Sequence, residues 1–145
     1  MSHPSRSDEQ QEVEDAIRRE LKKRSKLAYA SERVDCGDDY VIIDAVGRKA
    51  GKVVELIEIS AHQGKLKGGQ LKKSTDDAAR LMLAQKKFRP KPKLRLAWSC
   101  EEAIGQVQRS WRGKALEAMG IEFVFIDLPN ASDDKIKATQ KRQRR

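Results

Sequence analysis

The sequence predicts an α/β fold, a mixed sheet with helices on both faces, in the order α-β-β-β-α-β-α-β. Three observations carry that prediction. Apolar, β-branched runs of strand length recur at residues 39–46, 52–60, 93–98 and 121–128. Three further stretches repeat their apolar residues at helical spacing and are headed by a hydroxyl with a side-chain acceptor three residues on. The later segments alternate strand, helix, strand, the pattern of a crossover that joins parallel strands. A chain of 145 residues suits one core. The expected organisation is a disordered start over 1–7, one domain over 8–130 and a basic tail over 131–145.

The first helix is expected from about Asp8 to Leu27, opened by Ser7 and Gln10. Val13, Ala16, Ile17 and Leu21 make its apolar stripe, with Arg18, Arg19, Lys22 and Lys23 toward solvent. A short strand is expected near Arg33 to Cys36. Asp39–Val46 and Lys52–Ser60 then form a hairpin about a basic turn, Gly47 to Gly51. Ala61 to Lys73 is glycine- and lysine-rich and reads as a loop. The second helix is expected from Thr75 to about Lys87, capped by Ser74 with Asp77, with Ala78, Leu81 and Met82 inward. Pro90 and Pro92 stiffen a basic loop that leads into a strand, Lys93–Trp98. The third helix is expected from Cys100 to Met119, headed by Ser99 and Glu102. Ile104, Val107, Trp111 and Ala115 lie on one face, and Gly120 comes just past the end. Ile121–Leu128 is the last strand. Trp98 and Trp111 both read as core residues.

The net charge of +9 is unevenly spread, because Lys135 to Arg145 holds six basic residues and no acid. Such a block binds polyanions or merely solubilises the chain, and nucleic acid is its commonest partner. Acidic lipid is disfavoured, because no apolar anchor accompanies the charge. No apolar run is long enough to span a bilayer, and the first residues lack a secretory apolar core, so a cytoplasmic protein without a membrane partner is expected. Cys36 and Cys100 read as reduced thiols without metal-ligand spacing. No Gly-Lys-Ser/Thr occurs, which excludes a P-loop nucleotide triphosphatase.

The hairpin is where chemistry is expected. Asp44 interrupts one apolar strand, and Glu55 and Glu58 interrupt the next. A carboxylate in a buried strand is costly unless it is paired or binds a cation. Parity puts Glu58 and Ser60 on one face and Glu55 on the other. Asp44 and Glu58 would then form an oxygen-rich corner suited to Mg²⁺, which keeps most of its waters. The same acids could instead lie on a solvated face, or pair with Arg48, Lys49 or Lys52. His62 reads as structural or exposed. The expected nucleic-acid contacts are Lys72, Lys73, Lys86, Lys87, Arg89 and Lys91, with Lys141, Arg142, Arg144 and Arg145 in the tail.

The element order, Asp44, the turn through Gly47 and Gly51, and Glu58-Ile59-Ser60 together resemble the PD-(D/E)XK nuclease superfamily, in particular its Holliday-junction-resolvase-like branch. The basic segment ending Gln70-Leu-Lys-Lys resembles the stretch just after the motif in that family. The resemblance implies a restriction-endonuclease-like core and a Mg²⁺-dependent endonuclease, a hydrolase of DNA phosphodiesters, with Asp44 and Glu58 as metal ligands and Glu12 or Glu14 as additional ligands. Ser60 occupies the family's lysine position. That lysine is taken to position or activate the attacking water, so the resemblance implies that Lys65 or Lys67 supplies the charge or that the site is degenerate. DNA is the first expected partner and RNA the second, and a homodimer is allowed. The rival readings are a non-enzymatic DNA- or RNA-binding module, since helix, three strands, helix is also the order of a double-stranded-RNA-binding domain, and a nuclease-fold subunit whose tail docks on an acidic protein.

Overall fold

The structure is a computed structural model that describes residues 8–62 and 64–128. Its elements are α1 (Asp8–Ser25), β1 (Ala28–Cys36), β2 (Asp39–Lys49), β3 (Lys52–Ser60), α2 (Gly68–Gln85), β4 (Lys93–Trp98), α3 (Glu101–Arg109), α4 (Trp111–Ala118) and β5 (Ile121–Phe125). The strands form one sheet in sequence order, β1-β2-β3-β4-β5. The first three are antiparallel to their neighbours, and β3, β4 and β5 run parallel. The fold is therefore α/β with a mixed sheet. No helix among the described residues is long and apolar enough to cross a membrane. Ser7, Gln63 and the whole basic tail lie outside the described residues.

The helix α1 buries Val13, Ala16, Ile17 and Leu21 against Ala45, Ile57, Ile59 and Ala97 on one side of the sheet. Arg18 does not face solvent as its helical position suggests. Its guanidinium reaches the Asp44 carbonyl at 2.9 Å and pairs with Asp15. On the other side, Ala78, Leu81 and Ala84 of α2 join Ala103, Ile104 and Val107 of α3 and Leu116 of α4 over Leu56, Leu94 and Leu96. Helices thus cover both sheet faces, which lets β3 and β4 be apolar on both sides.

The hairpin turn is tighter than the expected five residues. Lys49 pairs with Lys52, so only Ala50 and Gly51 turn, both at positive φ (51° and 81°). That is the primed two-residue geometry whose twist matches the flanking strands. Gly47 belongs to β2 and is needed there: a Cβ would lie 2.7 Å from the Tyr29 ring.

Two helices depart from expectation. The second begins at Gly68, well before Thr75, so half of the supposed loop is its first two turns. Gln70 sets the start, because its Oε1 accepts the Lys67 N–H at 2.8 Å. Ser74 is an interior residue whose hydroxyl donates to the Leu71 carbonyl at 2.6 Å. The third expected helix is two helices. Ser110 is extended at its centre and caps α4, accepting the Gly113 N–H at 3.2 Å. Gly113 allows the close approach, since a Cβ there would lie 2.0 Å from the Val107 carbonyl oxygen. The break turns Trp111 outward to 68% exposed, whereas Trp98 is in the core as expected, at 3%. Cys36 and Cys100 are free thiols.

Candidate active site

The site lies where β2 and β3 separate. Their ladder ends at the pair Ala45↔Ile57. Between Ala30↔Val46 and Glu32↔Ile43, β2 carries one residue more than β1, which places a bulge at Asp44–Ala45. A bulge bends its strand and re-aims a side chain. Here the Asp44 carboxylate, and not the next β2 carbonyl, accepts the Ile59 N–H, at 2.9 Å. The parallel strands β3 and β4 end at the level of Ser60↔Trp98. The carboxyl ends of β3 and β4 therefore border the gap between β2 and β3.

A cavity of about 690 Å³ opens at this point. Glu14 of α1, Asp44, Glu58 and Ser60 of the hairpin, and Lys73, Asp77 and Arg80 of α2 all line it. Glu58 is 4% exposed. Burial, then the Asp44 charge and a hydrogen bond with the Asp44 carboxyl, push its pKa up to about 10. Burial also raises Asp77, to about 6, against the opposing pull of Lys73 and Arg80. Arg80 pairs with Asp77 and lies 3.7 Å from Glu58 Oε1. Among the described residues, two buried side-chain polar atoms have no hydrogen-bond partner, Glu58 Oε1 and Trp98 Nε1. Both residues line this cavity. Buried orphans are rare in native proteins and collect where a ligand or ion completes the set.

The residues expected from sequence divide clearly. Asp44 and Glu58 come together, and Glu14 joins them while Glu12 does not line the cavity. Lys65 and Lys67 are exposed and do not line it either; Lys73 does. The displacement follows from the early start of α2, which carries Lys73, Asp77 and Arg80 on one helical face at i, i+4 and i+7. Asp77 and Arg80 are not legible as site residues if the helix starts at Thr75. Lys72, Lys86, Lys87, Arg89 and Lys91 are exposed. The last four lie beyond the far end of α2, before β4 starts, and so at the opposite end of the parallel strands from the cavity. Lys141, Arg142, Arg144 and Arg145 lie outside the described residues. His62 lines the cavity, and its ring bonds Gln70 at 3.1 Å and the Lys65 carbonyl at 3.3 Å. Those two contacts brace the entry into α2. Glu55 is absorbed on the other side of the sheet, taking bonds from Tyr29 at 2.7 Å and Arg95 at 2.9 Å. Arg48 pairs with Glu32 and not with the site acids.

The donor set suits a small hard cation. Asp44 and Glu58 bring two carboxylates into contact, and Glu58 Oε1 is an oxygen without a hydrogen-bond donor. Mg²⁺ needs only one or two carboxylates beside its waters. Among the described residues, no set of three or more His, Cys, Asp or Glu side chains is arranged to hold a metal by itself. What these groups define is a class, an α/β protein with a paired-carboxylate crevice at the carboxyl ends of its parallel strands. No protein-family model, curated protein or solved structure matches the chain.

Proposed function

We propose that this chain is a nuclease-like, nucleic-acid-binding protein in which Lys73 takes the place of the lysine that Ser60 replaces. The observation that carries the reading is the convergence of Asp44, Glu58 and Lys73 on one crevice at the point where β2 and β3 part. The element order and the Asp44, Glu58 spacing point to a restriction-endonuclease-like core, and the sheet is compatible with it. Asp44 and Glu58 would hold Mg²⁺, which when bound supplies positive charge to a phosphodiester and to a water. Asp44 is aimed by the Ile59 N–H. Glu58 would bind such a cation as a carboxylate, its proton passing to solvent. Lys73 brings an ammonium to the rim of the crevice, where a phosphate oxygen or an attacking water gains a cationic partner. The charge favours a nucleic acid, and the family resemblance puts DNA first and RNA second.

A degenerate, purely binding version is favoured by one feature, Arg80. Its guanidinium already stands beside Glu58 and Asp77, where it neutralises part of the charge a metal would meet. The test is cleavage of duplex, branched and single-stranded DNA, and of RNA, with Mg²⁺ and with Mn²⁺. An active enzyme loses cleavage in Asp44→Ala and in Lys73→Ala, by about 100-fold or more for loss of a positioned acid, base or ligand, and keeps its nucleic-acid affinity. Cleavage that survives Asp44→Ala places the chemistry elsewhere. Wild-type binding without cleavage of any substrate supports the degenerate version.

A further inference from the structure

The exposed face of the β1–β2 hairpin carries an aromatic residue next to this crevice. Tyr40 is 47% exposed and Ile42 is 53% exposed, although both are large and apolar. Both line the same cavity as Asp44 and Glu58. The register explains why they share a face. Ile42 pairs with Arg33 and Tyr40 pairs with Asp35 in an unbroken antiparallel ladder. Directly opposed residues project from the same side of a sheet, and residues two apart in one strand do as well. Arg33, Asp35, Tyr40 and Ile42 therefore form one patch. Asp35 holds the Arg33 Nε at 2.9 Å. The guanidinium lies over the Tyr40 ring, 3.9 Å from its centroid. The ring is thus fixed by a cation rather than packed into the core.

We propose that Tyr40, with Arg33 and Ile42, is a stacking platform for unpaired bases of a strand whose phosphate backbone enters the Asp44–Glu58 crevice. The proposal rests on the nuclease-like reading for the identity of the crevice and deepens it by naming single-stranded, or locally unpaired, nucleic acid as the substrate class. An aromatic face and an arginine plane are the two surfaces on which splayed bases stack, irrespective of sequence. Paired bases inside a duplex offer no free face to such a ring. The spacing along β2 fits a short strand. Tyr40 lies four residues before Asp44, about 13 Å at the usual rise of an antiparallel strand. A strand bound across both sites would therefore have its stacked bases a few nucleotides from the phosphate at the carboxylates. Lys73 supplies a cation at the crevice end of this path, whereas Arg33 is neutralised by Asp35 and contributes its guanidinium plane rather than net charge. A protein partner would call instead for a wider continuous apolar surface than one tyrosine and one isoleucine.

The experiment is fluorescence anisotropy with a labelled twelve-nucleotide single strand, the same sequence as blunt duplex, and a single strand carrying abasic positions throughout. The full-length chain is used, in EDTA, so that cleavage plays no part. Tyr40→Ala is expected to weaken single-strand binding about 10- to 100-fold, the loss of stacking on one or two bases, and to leave duplex binding within about two-fold. Tyr40→Phe should retain wild-type affinity, because it keeps the ring. The abasic strand should bind wild type as weakly as the intact strand binds Tyr40→Ala. Unchanged single-strand affinity in Tyr40→Ala, or an equal loss on duplex, overturns the platform and leaves the nuclease-like reading standing. Absence of any wild-type binding overturns that reading, and the platform with it. Platform-dependent binding by a wild type that does not cleave in Mg²⁺ supports the platform and rejects catalysis only. Far-ultraviolet circular dichroism on each variant confirms folding, which an exposed side chain does not control.

Discussion

Replacing Glu58 by Gln is expected to stabilise the protein at neutral pH and to abolish any stabilisation by Mg²⁺. The carboxyl is buried against Asp44, and its pKa stands at about 10 against 4.5 for the free group. An acid whose folded pKa is raised binds more protons folded than unfolded above pH 4.5. Stability therefore falls with rising pH from there until the folded group itself ionises. Each pH unit in that window costs about 1.4 kcal/mol, so the upper bound at pH 7.5 is on the order of 4 kcal/mol. The pull of the Arg80 guanidinium, 3.7 Å away, is already contained in the raised pKa. A gain of up to about 4 kcal/mol for Glu58→Gln is therefore expected at pH 7.5. Glutamine fills the same space and does not titrate. The gain should shrink toward zero near pH 4.5, which separates it from a packing effect, since packing carries no such pH dependence. The assay is urea denaturation at pH 5, 6, 7 and 8 with and without Mg²⁺. Added Mg²⁺ at ten times its Kd should raise wild-type stability by about 1.4 kcal/mol and leave the variant unmoved. Parallel pH profiles for the two proteins would refute the burial argument, and equal Mg²⁺ responses would refute Glu58 as a ligand.

Other substitutions test the packing and the charge. Gly113→Ala should destabilise by about 1–3 kcal/mol, because its methyl group meets the Val107 carbonyl and the α3–α4 corner must shift; thermal denaturation reads this directly. Leu81→Ala, at a fully buried position in the last two turns of α2, should cost about 2–5 kcal/mol in the same measurement. Nucleic-acid affinity should fall steeply with salt, and removing Lys135 to Arg145 should weaken binding and flatten the slope of log affinity against log salt; an unchanged slope removes the tail from the footprint.

Much of the frame is readable from short-range pattern alone. The strands Lys52–Ser60 and Lys93–Trp98 fall within their expected bounds, because β-branched runs flanked by turn residues have little else to become. The stripe Val13, Ala16, Ile17, Leu21 is buried as its periodicity dictates. The misreadings share a cause, which is that local signals compete. Ser74 and Asp77 look like a cap, yet Gln70 provides one earlier, and two glycines of poor helix propensity hide the first turn. Ile104, Val107, Trp111 and Ala115 keep helical spacing straight through Ser110. Only the close approach of Gly113 to Val107, a contact across the break, distinguishes two helices from one. The bulge at Asp44–Ala45 is a property of strand register, which no single strand encodes. Parity therefore identifies Glu58 and its neighbour Asp44, but not the way Asp44 reaches across to the Ile59 amide.

The candidate site depends on the same two misread features, and that connects its geometry to its energetics. The bulge frees Asp44 from the ladder and opens the gap between β2 and β3. The early start of α2 puts Lys73 on the same rigid helix as Asp77 and Arg80, rather than on a glycine loop. A lysine on a helix is held more closely than one on a loop, which is what orienting a water or a phosphate requires. The cost appears in Glu58 and Asp77, two acids whose burial resists ionisation. A protein under selection for stability alone would replace such a pair by apolar residues. In the absence of a ligand, Arg80 bears on both acids at once, and a cation entering beside Asp44 would compete with it for Glu58. On the proposed nuclease-like reading, catalysis as opposed to binding alone then turns on a contest between a built-in guanidinium and a divalent ion for the same carboxylate oxygen.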